Sequence, residues 1–124
     1  MLKILAVAVG GSIGATTRYL VSTWAAERFG ASFPYGTLIV NVVGCFIIGA
    51  FMTITTERFI VNPYWRLLIT VGFVGGLTTF SSFSYETFRL VDDADMTMAL
   101  YNVGLNLVLG FLATWIGIGT ARLI

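Results

Sequence analysis

Gly72-Phe73-Val74-Gly75-Gly76-Leu77-Thr78-Thr79-Phe80-Ser81-Ser82-Phe83-Ser84 is the stretch that decides the fold. It lies within 19 uncharged residues between Arg66 and Glu86. That length suits a helix crossing a bilayer, which needs about 20 apolar residues. Three glycines followed by two β-branched threonines are nevertheless poor material for a continuous helix. Backbone unwound inside a membrane is tolerated only where protein or a water-filled cavity satisfies it. The stretch 67–85 has its midpoint at Gly76, so a break here falls at the membrane midplane, where discontinuous helices recur as ion and substrate sites. A second reading stays open. Gly72 and Gly76 form a GxxxG pair, the pattern of a helix packed closely on a neighbour.

Working outward, the charged residues partition the chain. Arg28 to Glu57 leaves 28 uncharged residues, and Asp95 to Arg122 leaves 26. Lys3 to Arg18 leaves only 14, so the first span works only if it contains Arg18. Residues 1–124 therefore read as a single all-α transmembrane domain of four helices, with spans near 4–25, 33–56, 67–90 and 96–121. A signal peptide is the competing reading of the N-terminus, with Lys3 as its basic residue. Gly10, Gly11 and Gly14 interrupt its apolar core, and the apolar pattern continues to Trp24. The connections are short: 27–32, 57–65 with the turn signal Asn62-Pro63, and the acidic turn 92–95.

Composition agrees. Of 124 residues, 57% are hydrophobic and 10% charged, the formal net charge is +1, and the mean hydropathy is +0.91. Soluble domains carry about 25% charge. No basic patch exists for a nucleic acid. Zero histidines and one cysteine exclude a His/Cys metal site and an intrachain disulfide. With four spans both termini lie on one side, together with Lys3, Arg58, Arg66 and Arg122; the other side holds Arg28 and Arg89. Lys/Arg bias sets topology, and a four-to-two bias is weak enough to leave insertion in both orientations open beside the N-terminus-inside reading.

Within this frame a few side chains stand out. Phe80 and Phe83 share a helical face, which Ser84 and Thr87 extend, and Ser81 lies on another. Rings at helical spacing commonly serve packing; set among hydroxyls, their positive edges also offer weak, multiple contacts that suit conduction, because an ion must also leave. Asn41 is an amide among β-branched residues, able to donate two hydrogen bonds. Asn102 and Asn106 sit at i, i+4 and pose the same choice between helix–helix glue and function. Arg18 is the one charge clearly inside the first span, facing a vestibule or snorkelling to the surface. Glu86 sits toward one end of its span as a polar-network partner.

Gly10-Gly11-x-x-Gly14-Ala15-x-x-Arg18-Tyr19, Gly36-Thr37-Leu38-x-Val40-Asn41-x-x-Gly44 and Gly75-Gly76-x-Thr78-Thr79-Phe80-Ser81-Ser82-Phe83-Ser84-x-Glu86 together resemble the CrcB/Fluc family of fluoride channels, in length, span number and motif order. The resemblance implies a passive fluoride-selective channel of the cell inner membrane that relieves fluoride toxicity, with no catalysis. It implies an antiparallel, dual-topology homodimer in the lipid bilayer, with two pores. It implies Asn41, Phe80 and Phe83 in the fluoride pore and Arg18 toward a vestibule; the hydroxyls of Ser81 and Ser84 are read here as further donors to the same pore. It also implies a structural sodium ion (Na+) at the dimer centre, held by the backbone carbonyls of Gly75 and Thr78. The alternative from another class is a small dual-topology proton-coupled multidrug exporter. That mechanism needs a carboxylate near the membrane centre, where the first span offers Arg18 instead.

Overall fold

The computed structural model describes all residues, Met1–Ile124. Four helical segments are long and apolar enough to cross a membrane: a first span, Leu2–Phe29; a second, Tyr35–Arg58; a third, Pro63–Asp92; and a fourth, Met96–Leu123. The protein is all-helical, a multi-pass membrane protein by its element lengths and composition.

The ends of the spans follow local chemistry. Gly30, at φ 83°, closes the first span in a conformation that costs other residues steric strain. The third begins at Asn62-Pro63: Asn62 Oδ1 accepts from the Tyr64 N–H at 3.0 Å, and Pro63 occupies the first turn, where no donor is needed. The fourth is capped by Asp95, whose Oδ1 accepts from the Met98 N–H at 3.1 Å. Two runs are wound as π-helix, Ile54–Arg58 and Leu67–Val74. The second run leads directly into the glycines of the third span, and π-turns concentrate at functional sites.

Past Leu77 the third span leaves the helical region. Thr78 lies at φ −83°, ψ 156° and Thr79 at φ −153°, ψ 119°, both extended, and helix resumes over Phe80–Asp92. The new helix is capped from within, because Thr79 Oγ1 accepts from the Ser82 N–H at 3.1 Å.

The bundle is held by close backbone approach instead of large buried side chains. The first span packs along the π-wound part of the third, and the second along the fourth. A Cβ on Gly72 would stand 2.8 Å from the Val7 carbonyl oxygen, and one on Gly76 2.6 Å from that of Gly11. Gly10 and Gly14 return the contact from the first span. Between the second and fourth spans, a Cβ on Gly49 would lie 2.5 Å from the Thr114 carbonyl. Lipid tails are as apolar as leucine, so helices in a membrane associate through such close packing. At one end of the bundle Arg122 grips Glu57 with Nη2 and Nε, at 2.9 and 3.1 Å, and Arg58 donates to the Arg122 carbonyl. The large apolar side chains Val108, Phe111 and Trp115 face outward from the fourth span, as lipid- or partner-facing residues do.

Candidate functional site

The extended residues Thr78 and Thr79 organise the site. Leaving the helix frees backbone polar groups, and each must be satisfied inside a membrane. The Asn41 carboxamide, reaching across from the second span, takes two of them. Its Oδ1 accepts from the Thr79 N–H at 2.8 Å, and its Nδ2 donates to the Thr79 carbonyl at 3.2 Å. Asn41 thus pairs with both backbone groups of one residue, as a neighbouring β-strand would. Its second N–H goes to Asn106 Oδ1 at 3.0 Å. An amide has two N–H donors, so both are engaged within the protomer.

Gly44, one turn along from Asn41, makes this approach possible. A Cβ there would collide with the Thr78 methyl. The Thr78 N–H and hydroxyl both donate to the Val74 carbonyl, at 3.0 and 2.9 Å. The Thr78 carbonyl accepts no hydrogen bond. Gly75 is exposed, with open space where a Cβ would stand. Of this turn Gly75 is the exposed residue, whereas Thr78 is half-buried.

Phe80 and Phe83 follow on the resumed helix. Their ring centroids are 5.6 Å apart and the planes are inclined by 60°. Phe83 is buried at 9% exposure, whereas Phe80 is 78% exposed. Two clefts meet at this pair. One, of about 300 Å³, is bordered by Asn41, Thr78, Thr79 and Asn106. The other, of about 310 Å³ and nearer the acidic turn, is bordered by Ser84, Thr87 and Val103. Phe80, Phe83 and Leu107 border both, so the ring pair is the wall between two clefts in series.

Asn41, Phe80, Phe83 and Ser84 thus all border one or both of these clefts. Ser81 is exposed, with its Oγ 3.2 Å from Thr79 Oγ1, and borders neither cleft. Arg18 is half-buried in the first span, without an ion pair, and also borders neither cleft. Glu86 is tied to the second span by the Thr37 hydroxyl, which donates to its Oε1 at 2.8 Å. Its Oε2 is buried without a protein partner, and the side chain borders a polar pocket of about 90 Å³ with Ser32, Arg89 and Asp93. A pocket of that size and polarity has room for water.

The two readings of the glycines divide between residues. Gly72 and Gly76 make the close helix contact, and Gly75 does not. The part missed by sequence reasoning is the pairing of Asn41 with Thr79. The i, i+4 spacing of Asn102 and Asn106 puts them on one face of the fourth span, and nothing local shows that they reach the second and third spans.

The CrcB-like protein, Camphor Resistance (CrcB) family model matches residues 5–118. The chain is 51% identical over 124 residues to the fluoride-specific ion channel FluC of Sulfurihydrogenibium sp. (strain YO3AOP1), covering the whole of both chains. It is 49% identical over 121 residues to that of Solibacter usitatus (strain Ellin6076), covering 98% of this chain and 99% of the relative. Identity to that of Roseiflexus sp. (strain RS-1) is 48% over 123 residues, covering 99% of each.

Proposed function

The chain belongs to the CrcB-like family, and on that footing we propose that it is a passive fluoride-selective channel that lets fluoride leave the cell and so relieves its toxicity. It is not an enzyme. The observation that carries the reading is the Phe80–Phe83 pair standing between two clefts in series. Ring edges carry partial positive charge and hold an anion weakly, and a conducting site must bind without trapping. The N-terminus of the Phe80–Asp92 helix adds the positive end of its dipole at the same place. The multidrug-exporter alternative finds no support, because the relatives are fluoride channels and Arg18 stands where a coupling carboxylate is needed.

Fluoride efflux from liposomes containing the purified protein tests this. Fluoride should leave without a proton gradient, and no efflux from well-folded protein overturns the reading. Phe80→Ile and Phe83→Ile should each slow efflux at least about tenfold, because isoleucine keeps the apolar bulk and removes the positive edge, a loss on the order of 1 kcal/mol or more. Wild-type rates in both variants count against the ring pair as the pore.

Each protomer's clefts are open at the side and Phe80 is largely uncovered, which supports a pore completed by a second copy. The assembly that fits is an antiparallel, dual-topology homodimer in the cell inner membrane, with the third-span break of each copy at the midplane. The four-to-two Lys/Arg distribution supports it. In a Cys45→Ala background, a single cysteine placed by Asn62→Cys should react with impermeant reagent from both sides of intact cells. Reaction from one side alone excludes dual topology.

The same arrangement suits a buried cation. Gly75 and Thr78 offer neutral carbonyl oxygens, and no cluster of acidic, histidine or cysteine side chains competes with them. Hard oxygen donors suit a hard cation, and neutral ones suit sodium. Sodium would satisfy bare carbonyls that otherwise cost several kcal/mol, about 1–3 each by protein measurements. The C-terminal end of Gly75–Leu77 then faces a cation while the N-terminus of Phe80–Asp92 faces the anion path. Replacing sodium by N-methylglucamine should lower the dimer's melting temperature by several degrees. An unchanged dimer removes the site.

A further inference from the structure

We infer that Asn106, Asn102 and Thr87 are positioning residues for the anion path, forming a one-way hydrogen-bond relay that orients Asn41 and fixes the helical turn carrying Phe80 and Phe83. The inference rests on the channel reading above. The relay starts at the extended peptide of Thr79, held by both ends of the Asn41 carboxamide. Asn41 Nδ2 donates to Asn106 Oδ1 at 3.0 Å. Asn106 Nδ2 donates to the Asn102 side-chain and backbone oxygens, at 3.1 and 2.9 Å. Asn102 Nδ2 donates to the Thr87 hydroxyl at 2.9 Å, which donates to the Phe83 carbonyl at 2.7 Å. Asn102 is completely buried.

Every bond in the chain runs the same way, from Asn41 to Phe83. The direction is what gives it a function. A carboxamide can turn over by half a rotation, exchanging oxygen and nitrogen at little steric cost. Turned over, Asn41 would set its oxygen against two acceptors, the Thr79 carbonyl and Asn106 Oδ1, and its NH₂ against the Thr79 N–H. Asn106 cannot turn to accommodate it, because its own NH₂ is spent on two oxygens of Asn102. Asn102 is held in turn by Thr87. The last member is anchored to a backbone carbonyl, which only accepts, and this sets the sense of the whole relay. Networks of this kind are stronger than their pairs.

The two ends of the relay bracket the ring pair. Thr79 precedes Phe80, and the Phe83 carbonyl belongs to the second ring itself. The fourth span therefore holds the third beyond the rings directly, through Asn102 and Thr87, and before them by way of Asn41. Thr87, about two turns past Thr79 on the third span, sets the orientation of the Asn41 amide, which it does not touch.

The test uses full-length wild-type protein, Thr87→Val, Thr87→Ser and Asn106→Leu, each reconstituted after thermal melting confirms the fold. Valine keeps the shape of threonine without its hydroxyl, and serine restores the hydroxyl. Thr87→Val and Asn106→Leu should each slow fluoride efflux about tenfold, the size of roughly one lost hydrogen bond, and Thr87→Ser should stay within about twofold of wild type. In parallel, the ¹⁵N–¹H side-chain amide resonances of Asn41 should move in Thr87→Val and return in Thr87→Ser. A purely local packing role for Thr87 leaves those resonances in place. Unmoved Asn41 resonances in Thr87→Val overturn the relay, as do wild-type efflux rates in both Thr87→Val and Asn106→Leu. A wild-type protein without efflux removes the channel reading alone, and the resonances still decide the relay.

Discussion

Asn41→Asp should lower fluoride efflux by about a hundredfold in a protein that still assembles. The geometry shows where the loss arises. Nδ2 of Asn41 faces two oxygens, the Thr79 carbonyl at 3.2 Å and Asn106 Oδ1 at 3.0 Å. In the ionised aspartate both of these contacts become oxygen against oxygen. Leaving buried acceptors unpaired costs about 1–3 kcal/mol each, and a charge inside the membrane adds roughly 2.5–3.5 kcal/mol. If the carboxyl protonates instead, one O–H replaces two N–H donors, and one acceptor is still abandoned. Either outcome loosens the peptide that precedes Phe80, and the ionised form also repels an approaching anion. Efflux from liposomes reads the rate, and size-exclusion chromatography confirms assembly. A variant that conducts at the wild-type rate would falsify the placement of Asn41 at the head of the path.

Gly10→Val should prevent recovery of a folded protein. A Cβ at residue 10 would collide with the Leu68 carbonyl oxygen and lie 2.9 Å from the Phe73 amide and 3.0 Å from the Gly72 Cα. All three are backbone atoms, so no side-chain rotation relieves the contact. Overpacking costs about 1–3 kcal/mol in tightly packed cores, and more where backbone must move. Here the first span must separate from the third, and that contact also sets Gly72 and Gly76 against Val7 and Gly11. Gly104→Ala is the control, because a Cβ there meets nothing within 4 Å. The yield of monodisperse protein after detergent extraction, with its melting curve, checks both. Gly10→Val with wild-type yield and melting temperature would remove this interface from the determinants of the fold.

Both predictions depend on partners far away in the chain, which bounds what can be read from the residues in order. The spans were legible because the bilayer imposes one condition on every element that crosses it: an apolar run of sufficient length. Charge spacing along 124 residues therefore locates four helices. The departure from helix in the third span was legible for a related reason. Glycine and threonine act on their own backbone. The match is only to the stretch and not to the residue: Gly72, Gly75 and Gly76, the weakest helix formers, stay helical, and the extended backbone is confined to Thr78 and Thr79. The Phe80–Phe83 face was legible from its i, i+3 spacing.

The engagement of those residues was decided elsewhere. Asn41 is identical in the sequence whatever its amide meets, and its bonds to Thr79, 38 positions away, and to Asn106 exist only once three spans come together. Asn102 and Asn106 share a helical face by spacing, but that their amides point toward Asn41 and Thr87 follows from how the fourth span lies against the second and third. The packing glycines divide likewise: Gly72 and Gly76 touch the first span, whereas Gly75, one residue from Gly76, faces away. The sequence by itself determined the elements, since length, hydropathy and backbone propensity are properties of consecutive residues. The tertiary structure decided the site, because a hydrogen bond depends on the direction of its donor, and that direction is set only when the helices come together.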